Sequence, residues 1–77
     1  MNKQALMQSV ADALDQIEVE RSIDLSEFKN EHFYSAVVGM CYDEAKRMAN
    51  KHHDAKASDF ISEMTYVALD ERGAIPK

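Results

Sequence analysis

Between Met1 and Arg72 the chain contains one glycine, Gly39, and no proline. This scarcity constrains the fold most, because a small β-rich domain needs turn residues every ~8–12 positions and draws on glycine for its tight hairpins. The chain is therefore predicted to be all-α. Gly73 and Pro76 fall together near the end, where glycine closes a helix in the left-handed conformation and proline prevents its resumption.

The apolar residues repeat at the steps of three and four that such a fold requires. Leu6, Met7, Val10, Ala13, Leu14 and Ile17 lie on one helical stripe, with Gln8, Asp12, Asp15, Gln16 and Glu18 on the opposite, wet face. Phe33, Tyr34, Val37, Val38, Met40, Cys41, Ala45 and Met48 continue the pattern through a second helix, and Phe60, Ile61, Met64, Val67 and Ala68 through a third. Asp24 and Glu27 form an acidic variant of the capping box, with Ile23 and Phe28 at the positions of a hydrophobic staple, so the second helix is expected to start near Leu25. Asn30 is a competing cap that would split a short turn from the main helix. Asp54 or Ser58 is expected to cap the third helix. The fold expected is a small three-helix bundle with helices over approximately 3–20, 25–52 and 57–71 and a long central helix packed on both others.

Seventy-seven residues hold one core and leave no room for a second domain. A chain of ~60 residues buries only about 60% of its unfolded surface, so a domain scarcely larger is thinly stable alone and gains from association. The apolar stripe of the central helix is wide, as expected of a helix covered on two sides, which favours a homodimer. Gly39 in its middle costs ~1 kcal/mol relative to alanine and reads as a point where another backbone crosses closely.

The single cysteine, Cys41, cannot form an internal disulfide, no apolar run of signal-peptide length occupies Met1 to Val10, and no stretch approaches the ~20 apolar residues of a membrane span. A cytoplasmic protein with no membrane contact is expected. Fourteen acids against nine bases give a formal charge of −5, which lowers unaided affinity for nucleic acid and for anionic lipid.

No constellation of side chains points to catalysis. His52 and His53 are adjacent and diverge by ~100° on a helix, unlike the i, i+4 pair of a zinc-binding helix, so neither a metal nor any other cofactor is expected. Cys41 lies on the apolar stripe, where a thiol is poorly ionised and behaves as a small hydrophobe. Three short helices rarely enclose a substrate pocket, and the acids all have places on outer faces or caps. The protein is expected to bind rather than to catalyse. The five methionines read as irregular core filling ahead of an adaptable binding surface.

Two charged regions are candidate contact sites. The first 31 residues hold seven acids and three bases, and Asp12, Asp15 and Glu18 on the first helix are the candidate partner-binding acids. Lys46, Arg47 and Lys51 suit the negative pole of the central helix, and with His52, His53 and Lys56 they form the only net basic stretch. The leading expectation is a small cytoplasmic regulator, inhibitor or accessory subunit that engages a larger protein. A nucleic-acid-associated regulator working through the basic stretch is one alternative, and an acidic nucleic-acid mimic that blocks a basic groove is another.

Over residues 25–61, Leu25, Ser26, Phe33, Tyr34, Ser35, Ala36, Phe60 and Ile61 stand at the same ungapped spacing as matching residues in the haemolysin-expression-modulating family of bacterial nucleoid cofactors. The chain resembles that family in these eight positions, chiefly in the pieces D-L-S and F-Y-S-A. It lacks the family's arginine-rich segment of the central helix and its tryptophan near the last helix. Those departures remove the residues that would contact DNA or define the family fold, and no site residue is carried across.

Overall fold

The computed structural model describes residues 2–76, and Met1 lies outside them. Among these residues the chain forms three α-helices and no strand: α1, Lys3–Arg21; α2, Glu31–Met48; and α3, Ile61–Glu71. Short 3-10 turns over Ser26–Phe28 and Ala57–Phe60 precede α2 and α3. Each helix packs against the other two. No helix among the described residues is long and apolar enough to cross a membrane.

The expected α1 starts as its sequence dictates, with the Asn2 side chain accepting the Ala5 N–H at 2.8 Å. Leu6, Met7, Val10, Ala13 and Leu14 are buried, while Ile17 is half-buried at the edge of the core. The helix closes on Ser22, a non-glycine residue in the left-handed region (φ 54°, ψ 47°), whose N–H reaches the Glu18 carbonyl.

The second helix is shorter than its expected span of 25–52. Asn30 wins the competition for the cap, accepting the Phe33 N–H at 2.9 Å, so Leu25 to Lys29 form a separate turn. Asp24 still acts locally by accepting the Ser26 N–H at 2.9 Å, but the turn that follows it runs only through Phe28. At the other end the helix stops at Met48, and residues 49–56 form consecutive turns, with Lys51 and His52 N–H groups both bonding the Met48 carbonyl. Asparagine, histidine and aspartate crowd this segment and have weak helical preference, which explains the early stop. The central helix, at 18 residues, is therefore no longer than the 19-residue α1.

Phe33, Val37, Val38 and Cys41 of α2 are buried against both neighbouring helices, so the wide stripe is covered within one chain. Gly39 corrects the expectation of a crossing point: it is exposed, and a Cβ placed there would meet nothing within 4 Å. Phe28 and Phe33 stack their rings at 5.4 Å in a tilted arrangement, joining the first turn to the core.

The expected third helix spans the right residues, but its first turn is 3-10, and neither Asp54 nor Ser58 caps it. Instead the Asp59 carboxylate accepts the Lys56 N–H at 3.0 Å. Ile61, Met64, Ala68 and Leu69 face the core, and Val67, expected there, is on the exposed side. Gly73 (φ 72°) closes α3 in a Schellman motif: its N–H bonds the Asp70 carbonyl at 3.0 Å and the Ala74 N–H bonds the Leu69 carbonyl at 2.9 Å. The chain then places Ile75 back in the core. Met7 and Met64 are buried and Met40 and Met48 half-buried, in keeping with a packing role.

Thr65 is fully buried among these apolar groups, and its hydroxyl finds no hydrogen-bond partner. An unsatisfied buried hydroxyl costs about 1–3 kcal/mol, and 1 kcal/mol moves the melting midpoint of a domain this size by ~4–8 °C. Thr65→Val is expected to raise Tm by several degrees in a thermal melt; a lower Tm would show that the hydroxyl is satisfied.

Candidate functional site

The acids of α1 separate into two groups once the helices pack. Asp12 is exposed and accepts from the Gln8 side chain at 3.1 Å, and Glu20 is exposed and accepts from the Gln16 side chain at 2.9 Å. Asp15 and Glu18 turn instead toward Lys29, whose ammonium lies 3.0 Å from Asp15 and 2.5 Å from Glu18. Glu18 is half-buried and also accepts the Leu25 N–H at 2.6 Å. It therefore corrects the expectation of a fully wet face: this carboxylate pins the segment between α1 and α2. Asp15 remains mostly exposed beside it.

Between α1 and α3 runs a groove of about 190 Å³ lined by Ala13, Gln16, Ile17, Glu20, Ser62 and Tyr66. The lining residues of α1 recur at i, i+3, i+4 and i+7, and those of α3 at i and i+4, so each helix presents one continuous stripe. Arg21 lies over the Tyr66 ring, its guanidinium carbon 5.0 Å from the centroid, and donates to the Tyr66 hydroxyl at 3.3 Å. Three of the exposed large hydrophobic residues, Val19, Tyr66 and Val67, belong to these two helices, and Val19 is 81% exposed. Of these three, Tyr66 alone lines the groove.

The charges around the groove are mostly acidic. Asp12 and Glu20 stand four residues on either side of Gln16, and Glu63 and Asp70 stand three and four residues from Tyr66, so each shares a side with the residue it flanks. The segment Ala57–Glu71 carries four acids and no lysine or arginine. The groove residues Ser62 and Tyr66 are absent from the apolar stripes read in the sequence, because neither has core spacing. The available signal was this uninterrupted acidity around a lone tyrosine.

The basic stretch is less concentrated than its sequence suggests. Lys46, Arg47, Lys51, His52, His53 and Lys56 are all exposed, but only Lys46 and Arg47 belong to the last turn of α2, and Lys51 lies beyond it. Arg47 is bonded to the half-buried Glu44, which offsets part of the charge. Cys41 is fully buried, and burial pushes its thiol up to about 11. Among the described residues no three His, Cys, Asp or Glu side chains gather as metal ligands would.

The Glu18 cluster sets a pH dependence. The Lys29 ammonium, first, and the Leu25 N–H hold the Glu18 carboxyl below its ordinary value of 4.5. A carboxylate so lowered contributes stability above its unfolded pKa and loses it as pH falls. Lys29 is shifted the opposite way, raised by Glu18 and then by Asp15, so its contribution is present below 10.5 and persists into the alkaline range. Exposure to solvent keeps both effects small. Thermal melts between about pH 5 and pH 3 are expected to show a shallower fall in Tm for Glu18→Gln than for the parent. Identical slopes would show that this carboxylate is not linked to folding.

No protein-family model, curated protein or solved structure matches the chain, so the eight-residue resemblance stands on those residues alone.

Proposed function

We propose that the protein is a small cytoplasmic interaction protein, a regulator, inhibitor or accessory subunit, that engages a larger protein through the α1–α3 side of the bundle. The observation that carries this reading is the exposed Tyr66 ring set in an apolar-floored groove with a flanking set of acids. Core-like apolar groups surrounded by polar ones are the usual anatomy of a protein contact. The same floor argues against a pure nucleic-acid mimic, which needs arrayed charge and no apolar seat. A nucleic-acid contact through Lys46, Arg47, Lys51, His52, His53 and Lys56 must overcome both the overall charge of −5 and the neutralisation of Arg47 by Glu44.

A homodimer loses its first motive when the α2 stripe is covered within the chain. The exposed aromatic surface left on α2 for a second copy is Tyr42. Sedimentation of the parent at several concentrations measures this directly.

The double variant Asp12→Lys, Glu20→Lys changes only exposed side chains of α1 beside the groove, so each change is expected to shift stability by about ±0.5 kcal/mol or less. Association with the captured partner is expected to slow and to lose salt sensitivity, as rim charges govern encounter more than residence. If capture is untouched by this variant but is lost with Lys46→Glu, Arg47→Glu and Lys51→Glu, and nucleic acid co-purifies, the proposed reading is overturned in favour of nucleic-acid binding.

A further inference from the structure

We infer that the α1–α3 groove seats a basic amphipathic helix of a partner protein, with apolar side chains on the floor between Ile17 and Tyr66 and lysine or arginine against the acidic flanks. This rests on the interaction reading above and names the chemistry of its partner. The floor supplies apolar contact from Ala13, Ile17 and the Tyr66 ring. The flanks supply Asp12 and Glu20 on one side, Glu63 and Asp70 on the other, all exposed. A helix laid in a groove meets it through residues at i, i+3, i+4 and i+7, the same spacing with which α1 lines its wall.

Charge complementarity selects the occupant. A second copy of the chain presented by this same face would bring four acids and a single arginine against the same set, a net like-charge contact that is destabilising. An acidic helix meets the same repulsion. The chain itself supplies the positive example: Arg21 already rests on the Tyr66 ring and bonds its hydroxyl, so this surface holds a guanidinium.

The test uses a fluorescein-labelled synthetic helix with leucines at i, i+3, i+4 and i+7 and lysines beside them, and a matched peptide with glutamates in place of the lysines. Anisotropy is measured at low and moderate salt, and amide shifts of the isotope-labelled full chain locate the contact. The lysine peptide is expected to bind, weakening as salt rises, with shifts concentrated at Ala13, Gln16, Ile17, Glu20, Ser62 and Tyr66. Glu20→Lys with Glu63→Lys is expected to weaken it about tenfold. Arg21→Ala, which removes the resident cation, is expected to tighten it. Circular dichroism confirms that each variant is folded.

Equal binding of the glutamate peptide, shifts elsewhere on the surface, weaker binding by Arg21→Ala, or groove shifts caused by protein concentration alone each overturn the inference. A native protein partner whose capture ignores the Glu20 and Glu63 changes but is lost on changing Asp15, which lies outside the groove beside Lys29, also overturns it, while leaving a protein-interaction reading intact. Binding of duplex DNA by the basic stretch, with no native protein partner captured, removes both.

Discussion

The bundle depends on the burial of one broad face of α2 from two sides. Val37 and Cys41 are fully buried and Val38 and Phe33 nearly so, with no second chain involved. Burying one such apolar side chain contributes roughly 1.5–3 kcal/mol, while the net stability of a small domain is only about 5–15 kcal/mol. Few residues therefore separate a fold from a loose chain. The remaining features serve this sandwich: Asn30 fixes where α2 begins, Gly73 turns the chain so that Ile75 returns to the core, and Glu18 ties the connection between α1 and α2 through the Leu25 N–H.

Most of the helical architecture was legible in the chain, because apolar spacing and cap residues are local signals. The extent of α1, the core spacing of α3, the glycine closure at Gly73 and the burial of Val37 all followed from residues within a few positions of each other, whereas the cap expected for α3 at Asp54 or Ser58 did not. What the chain hid was competition and packing. Asp24 and Asn30 are both good caps, and the side chain of Asn30 reaching the Phe33 N–H decided between them. Gly39 resembled a crossing point only as long as its orientation was unknown; it faces solvent, where the missing side chain gives no packing advantage.

The candidate site was legible only in part. Asp12 was rightly placed on an open face, but Glu18 shares its helix and serves the fold, since its direction depends on Lys29, eleven residues away. The groove arises from two helices separated by 45 residues at the Arg21–Tyr66 contact, and no local pattern announces such a pairing. Charge segregation underlies the preference proposed for that groove. The acids dominate α1 and α3, while the bases collect at the end of α2 and in the following turns.

Placing a charge at the centre of the α2 face tests the sandwich most directly. Val37 has no exposed surface within the single chain, so Val37→Asp would bury an unpaired carboxylate at a cost of several kcal/mol, comparable with the whole stability of the domain. Thermal melting followed by circular dichroism is predicted to show loss of the cooperative transition, with the helix signal reduced or uncoupled from any sharp unfolding. A Val37→Asp protein that melts cooperatively within a few degrees of the parent would contradict the account, because the face on which all three helices converge would then not be the core.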